Sequence, residues 1–468
     1  MKIKSLEVDN HPILGTFSYD FEEGKSTTLL VGKNGSGKTR FIELLHILLD
    51  KSFRVWEVPD WNQGSISRIK LSVELEGDET KNLASIQIEG TPTLQGLSSG
   101  HIYFEATKKT ESYNDFDIYM LNADGETYSV IHNAFKESLE SEKAFAKVLR
   151  DKTRYSGVQI NFEYKPVTSY SDIVDDDKKI QTKSTVSLAD EINKLLVATF
   201  NRDNTYLGKE SRKGNAHPDY KGDFDRFKDA YYELFKTKQI VDVQQDGADN
   251  KIIFKDVTSD REFGIDGLSS GEQQIVYRAG YLLRHLNIKN GGVVFIDEPE
   301  LSLHPEWQIG YLQFLQKIFG ENIQFIIATH SPYIVQSGCH MEDVSISRLF
   351  GDSGDLKNEE MNKTSKLGQA SYAEVGYKVF GVAGEEYHRE LYLALTAKLQ
   401  VGEKPTEIDK HLFLNAEIPT ITTLFGKETV MSFIRNIYHH GANAVAKRGR
   451  TYTPHELEDS IKVMEGLL

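Results

Sequence analysis

Thr27 to Val31, TTLLV, is an apolar run of strand length that ends in Gly32, Lys33, Asn34, Gly35, Ser36, Gly37, Lys38 and Thr39; the RFIELLHILLD that follows repeats at helical spacing. Strand, glycine-rich loop and helix in that order are the setting of a phosphate-binding loop. The glycines let the backbone turn back on itself so that successive N–H groups point inward, and the helix N-terminus adds partial positive charge where phosphates sit. In that setting Lys38 reaches the outer phosphates and the Thr39 hydroxyl ligates magnesium.

Two further segments complete the pattern. GGVVFIDEPELSLHP, at 291–305, contains a continuous apolar run, Val293 to Ile296, of the kind buried in a parallel sheet, ending in Asp297 and Glu298. Asp297 is placed to hold magnesium through water, and Glu298 to orient or deprotonate a water attacking a γ-phosphate. In IQFIIATHSPYIV, Gln324 to Thr329 is a third strand with His330 at its carboxyl end. Ligands of open α/β sheets bind beyond the carboxyl ends of the strands, so Thr39, Asp297 and His330 are expected in one crevice, with His330 as a γ-phosphate sensor.

Composition limits the alternatives. A chain of 468 residues with 39% apolar side chains has room for two or three packed domains. Its one cysteine, Cys339, excludes an intrachain disulfide and fits a reducing cytosol. The first residues, MKIKSLEVDN, lack the layout of a signal peptide, and no apolar run approaches the roughly 20 residues that span a bilayer, so a cytoplasmic protein without a membrane partner is expected. A net charge of −15 argues against a broad basic face for duplex DNA; KKTES near 108, DDDKK at 175–179 and AKRGR at 446–450 read as solvated loops.

These motifs, with LSSGEQQ at 268–274 between them, resemble the ABC-type ATPases, in the branch shared with SMC-like and DNA-repair ATPases; DEPELSLHP and THSP carry that branch's spelling. The resemblance implies an α/β fold: an ABC-type P-loop ATPase head, mostly parallel sheet plus an antiparallel β lobe, with ATP and Mg2+ as ligands. It makes Gly32 to Thr39 the Walker A loop, Leu268 to Gln274 the signature, Val293 to Glu298 Walker B, Ser302 to Pro305 the D-loop and His330 the switch histidine. It also implies that Ser270, the Gly271 amide and their helix N-terminus address the nucleotide of a partner chain, so that the protein forms a homodimer or higher oligomer. A Q-loop glutamine is not identified among Gln63, Gln87 and Gln159; a second GLSSG, at 96–100, precedes strand-like HIYFEA and reads as a turn.

The expected organisation is an ATPase domain over 1–345, carrying a helical and β insert at about 51–250, and an α-helical C-terminal domain over 346–468. The insert contains strand-like RIKLSVELEG and HIYFEATK, and helix-like HNAFKESLESEKAFAKVLRD, SLADEINKLLVATF and DFDRFKDAYYELFK, without the sustained heptads of a long coiled coil. In the C-terminal domain, helices are expected over GEEYHRELYLALTAKLQ and KETVMSFIRNIYHH, with a last one opened by Thr453, Pro454 and Glu456 in a capping box. RNIYHH, at 435–440, matches the pattern of HEPN ribonucleases and makes Arg435 and His440 a candidate nuclease pair, a little more than one helical turn apart. The same stretch resembles the tails of stand-alone ABC-type ATPases of bacterial anti-phage operons, of the PARIS and Septu kinds. That resemblance implies a sensor and scaffold holding a separate effector nuclease until a phage-derived trigger arrives. The alternatives are an ATPase-gated ribonuclease and a DNA-repair ATPase; no Toprim pattern follows residue 345.

Overall fold

A computed structural model describes residues 1–51, 53, 55–62, 65–75, 101–108, 116–121, 127–129, 149–157, 188–213, 222–246, 249–285, 291–402, 404–415, 418–423 and 426–468. Gln63, Gln87, Gln159, the second GLSSG, DDDKK and most of the helix expected near 132–151 lie outside them.

In chain order, β1 (Lys2–His11) and β2 (Gly15–Asp20) form a hairpin, β3 (Thr27–Val31) leads into the glycine loop, and α1 (Lys38–Asp50) leaves it. Then come β4 (Arg68–Glu74), β5 (His101–Lys108), β6 (Phe116–Leu121), β7 (Thr127–Ser129), β8 (Thr153–Ser156), α2 (Leu188–Arg212), α3 (Asp223–Phe235), β9 (Lys238–Asp246), β10 (Asp249–Asp256) and β11 (Glu262–Phe263). The remaining elements of the first unit are α4 (Ser270–His285), β12 (Gly292–Asp297), α5 (Pro305–Phe319), β13 (Ile323–Ala328), α6 (Pro332–Cys339), β14 (Val344–Phe350) and β15 (Lys357–Glu360).

The central sheet has the order β15-β14-β3-β13-β12-β8, and β14, β3, β13, β12 and β8 pair in parallel. β3, β12 and β13 are buried along their whole length, which is why they read as unbroken apolar runs rather than alternating ones. The antiparallel sheet, β2-β1-β4-β5-β6-β7, shows the other pattern: β2 alternates strictly, with Phe17 and Tyr19 turned inward. Phe17, Tyr19 and Phe21 pack around Phe41 of α1, with ring centroids 5.6, 5.1 and 6.4 Å away, so the helix that leaves the glycine loop is seated on this sheet. The two sheets are tied by Gln324 at the start of β13, whose side-chain amide accepts from Ile3 N at 2.7 Å and donates to Ile3 O at 3.0 Å. A third sheet, β11-β10-β9, precedes α4.

One described element of the expected insert belongs to the core. β8 joins the central sheet beside β12; TRYS is too short and polar to stand out as a core strand. The first compact unit comprises Met1–Ser337 with Glu342–Glu359, and so runs past position 345, because β14 lies against β3 in the central sheet.

The second unit, Gly338–Met341 with Glu360–Leu468, contains α7 (Tyr372–Phe380), α8 (Glu385–Leu399), α9 (Pro405–Asn415), α10 (Val430–Arg448) and α11 (Pro454–Leu467). It is not wholly helical: β16 (Thr420–Thr423) and β17 (Gly426–Thr429) form an antiparallel hairpin. The Lys-Glu-Thr expected at the head of a helix is strand, because the Thr429 side chain caps α10 by accepting from Ser432 N, while its hydroxyl donates to Asp409 at 2.6 Å. Thr453 and Glu456 form the expected capping box, with Pro454 in the first turn of α11.

Gln324→Ala removes both partners of the Ile3 backbone at a buried site. The full chain is expected to lose about 1–3 kcal/mol in urea denaturation, the cost of leaving buried polar groups unpaired.

Candidate nucleotide site

Parallel pairing sets the site. Ala328 of β13 faces Leu30 of β3 on one side and Asp297 of β12 on the other, so the three strands end at one level and their following residues share one edge of the sheet. Gly32 has φ +148°, and a Cβ there would stand 2.2 Å from the Leu349 carbonyl oxygen of β14, so only glycine fits. Gly35 and Gly37 turn the loop with φ near +80°, and Gly37 caps α1. Lys33, Asn34 and Gly35 are exposed, while Ser36 is buried.

Lys38 is 4% exposed, with its ammonium folded into the loop: Nζ donates to Gly32 O and Lys33 O, each at 3.0 Å, and to Ser36 Oγ at 3.3 Å. Burial pulls its pKa down to about 8, against the raising influence of Glu298, Asp297 and Glu300. The loop is thus holding a cation in the place where an anion would relieve it.

Asp297 is fully buried, and neither carboxylate oxygen makes a regular hydrogen bond. Burial raises its pKa to about 6, with the Thr39 hydroxyl and Lys38 opposing and Glu298 and Glu43 reinforcing the shift. A buried carboxylate with unsatisfied oxygens beside a hydroxyl is a hard oxygen donor set, which fits Mg2+ held by few protein ligands and completed by phosphate and water. Among the described residues no group of three His, Cys, Asp or Glu could hold a metal by itself, so Thr39 and Asp297 would share it with the nucleotide.

Glu298 has φ +44°, a strained conformation for a residue with a Cβ, fixed by its N–H donating to Ala328 O at 2.9 Å. The turn aims its carboxylate at His330: Oε1 lies 3.7 Å from Nε2. Burial, then the nearby Lys38 charge, lowers the His330 pKa, while Glu298 raises it. The imidazole is therefore mainly neutral at neutral pH.

Two residues of this site carried no role in the sequence reading. Glu300 accepts from His330 N at 2.5 Å and from Thr329 Oγ1 at 2.9 Å, bracing the turn after β12 against the end of β13. Gln308 of α5 accepts from Ser331 Oγ at 2.5 Å and donates to Leu303 O at 2.9 Å, closing the same brace one turn further out. The last acid of DEPE was the available signal for Glu300; for Gln308 the sequence offers none.

The signature segment forms the N-terminus of α4. Ser270 is exposed, and Gly271 is packed so closely that a Cβ would come within 2.4 Å of the Ser302 carbonyl oxygen. Ser302 itself has φ +66°. Gly271 therefore lets the first turn of α4 lie against Ser302 and Trp307.

Arg435 and His440 both lie on α10, but five residues along a helix turns the side chains about 140° apart, so they do not share a face. Arg435 is half-buried with Nη1 3.5 Å from Asn436 Oδ1, His440 is exposed beside His439, and the helix is broken at Gly441. Asn436 donates to Glu428, whose carboxylate also pairs with Arg448 at 2.9 Å; this part of the motif holds β17 against α10.

The raised Asp297 pKa means that folding disfavours its ionised form. Asp297→Asn is expected to stabilise the metal-free protein at pH 7.5 by on the order of 1–3 kcal/mol, a gain that shrinks as pH falls from about 6 towards 3.8. Thermal melting across pH checks this. Added Mg2+ with ATP should raise the wild-type melting point and leave that of Asp297→Asn much less changed.

A family described as "AAA ATPase domain" matches residues 1–335. The "Retron Vc95 probable ATPase" of Vibrio cholerae serotype O1 biovar El Tor is 25% identical over 357 residues, 66% of this chain and 67% of that protein. The "Septu protein PtuA" of Bacillus mycoides (strain KBAB4) is 28% identical over 170 residues, 35% of this chain and 22% of that protein. Among solved structures, the Smc head domain with an extended coiled coil bound to the C-terminal domain of ScpA, derived from Pyrococcus furiosus, matches at a TM-score of 0.44 and 11% identity, over 77% of this chain and 96% of that one. With its glycine loop, buried aspartate and braced glutamate at the ends of adjacent parallel strands, and a family match over most of its length, the chain belongs to the AAA ATPase domain family.

Proposed function

We propose that the chain is an ATP-driven association switch serving as sensor and scaffold in an anti-phage defence complex. Two protomers would sandwich ATP, each supplying Gly32 to Thr39, Asp297, Glu298 and His330 to one nucleotide and Ser270 with the Gly271 amide to the other. The observation that carries this is the split between the two halves: the Walker residues and His330 are gathered at one sheet edge, whereas Ser270 stands exposed at a helix N-terminus, free to meet another chain's phosphate. The similarity to proteins named for retron and Septu systems supports the defence setting; the separately encoded effector nuclease, released or activated by a phage-derived cue, is carried by the resemblance of the C-terminal stretch alone.

The chemistry follows from the geometry. On nucleotide binding, Lys38 exchanges the Gly32 and Lys33 carbonyls for phosphate oxygens, a stronger charge-assisted pairing. Thr39 and ionised Asp297 would hold Mg2+, which would supply charge neutralisation on the phosphates. Glu298, held by its left-handed turn, accepts the proton of the attacking water, and His330, neutral and 3.7 Å away, orients that water or reads the γ-phosphate. Loss of the γ-phosphate removes the contacts that join the protomers, so hydrolysis resets assembly.

Glu298→Gln is expected to lower turnover about 100-fold or more while retaining an ATP-bound oligomer by native mass measurement. Lys38→Ala should lose nucleotide affinity and remain unassembled. Ser270→Arg should bind ATP and fail to hydrolyse it; normal turnover by that variant contradicts the shared site.

A further inference from the structure

The signature loop is held from behind by a charge that the Walker chemistry does not use. Glu272, two residues after Ser270, has its side chain 4% exposed. Its Oε2 accepts from Ser269 N at 2.7 Å and from Ser269 Oγ at 2.8 Å, while Glu272 N lies 3.4 Å from Ser269 Oγ, a reciprocal cap on the first turn of α4. The remaining partner is Lys238, the first residue of β9, whose Nζ is 2.7 Å from both carboxylate oxygens. Lys238 is itself well covered, its side chain 20% exposed, with the ammonium 5.7 Å from the centre of the Phe263 ring.

The surrounding loop is pinned on the same inner side. Gln273 Nε2 donates to Ile265 O at 3.3 Å and Leu268 O at 3.2 Å, and the Phe263 ring occupies the space beside Gly267. At the other end of the α3–β9 corner, Phe235 meets Trp307 edge-on at 4.9 Å, and Trp307 and Ser302 are the groups on which Gly271 rests. Ser270 is thus a small exposed tip on a frame whose one buried charge is neutralised from β9.

We propose that Lys238 is a positioning residue for ATP hydrolysis: by neutralising the buried Glu272 carboxylate it keeps the Ser269–Glu272 cap closed and holds Ser270 and Gly271 in place for the neighbouring protomer's γ-phosphate. This rests on the composite-site reading above. Removing one partner of a buried ion pair leaves an uncompensated charge, whereas removing both leaves none. Without Lys238 the carboxylate must reach water, which opens the cap and lets the tip move. The nucleotide's own Walker loop is not touched by this change.

Five variants of the full chain test it by ATP affinity, kcat and KM: Lys238→Met, Lys238→Arg, Glu272→Gln, Lys238→Met combined with Glu272→Gln, and Ser270→Arg as control. Lys238→Met is expected to lower kcat about tenfold or more with ATP affinity within about twofold of wild type, and Lys238→Arg to recover most of the loss. The double variant, in which glutamine still completes the cap, should return to within about threefold of wild-type kcat. A Lys238→Met protein with wild-type kcat, while Ser270→Arg is inactive, overturns the proposal and leaves the composite site standing. Ser270→Arg with normal turnover overturns both. A double variant as impaired as Lys238→Met, or an equal loss of ATP affinity in Lys238→Met, also overturns the positioning role.

Discussion

The in-register parallel pairing of β3, β13 and β12 is the constraint on which the site depends. Because Ala328 sits level with both Leu30 and Asp297, whatever follows each strand is brought to one edge: a glycine loop after β3, a histidine after β13, a glutamate after β12. A slip of one residue in either pairing would turn a buried strand residue towards the wrong layer and carry its acid or imidazole off the edge. Burial of all three strands on both faces makes such a slip costly, so the chemistry inherits its precision from the core.

Within the protein, the groups at that edge are poorly balanced. Lys38 is buried against carbonyls that neutralise it poorly, Asp297 is buried with unsatisfied oxygens, and Glu298 holds a backbone conformation that side chains avoid. The two buried charges would gain partners from a polyphosphate with a divalent cation, which favours binding, while the Glu298 turn stays as the protein fixes it. Glu300 and Gln308 keep the frame rigid meanwhile, tying the turn after β12 to Thr329, His330 and Ser331. The signature end follows the opposite logic: its buried charge, Glu272, is already fully partnered, and only small groups, Ser270 and the Gly271 amide, remain to be engaged.

Much of this was legible because local chemistry leaves local marks. Glycines at positive φ, acids at the end of an apolar run and a Thr-Pro-x-Glu opening each occupy a short window, and Gly32, Asp297 and Thr453 stand where their windows put them. What escaped depends on pairing at a distance. β8 is four largely polar residues whose strand character comes from lying beside β12, more than a hundred residues away, and β14 belongs to the first unit because it lies against β3. Lys427 to Thr429 of β17 read as the head of a helix, since Thr429 declares itself a cap only through Asp409. Lys238 is one lysine among many in the sequence; only its approach to Glu272 distinguishes it.

The central claim is that one chain's Ser270 closes over another chain's glycine loop when ATP is bound. Mixing a Ser270→Cys protein with an Asn34→Cys protein, both carrying Cys339→Ala and Glu298→Gln, and oxidising with and without ATP tests it directly. The account predicts a disulfide-linked heterodimer that forms with ATP and is largely absent without it. No cross-link in the presence of saturating ATP, or the same yield with and without nucleotide, would contradict it.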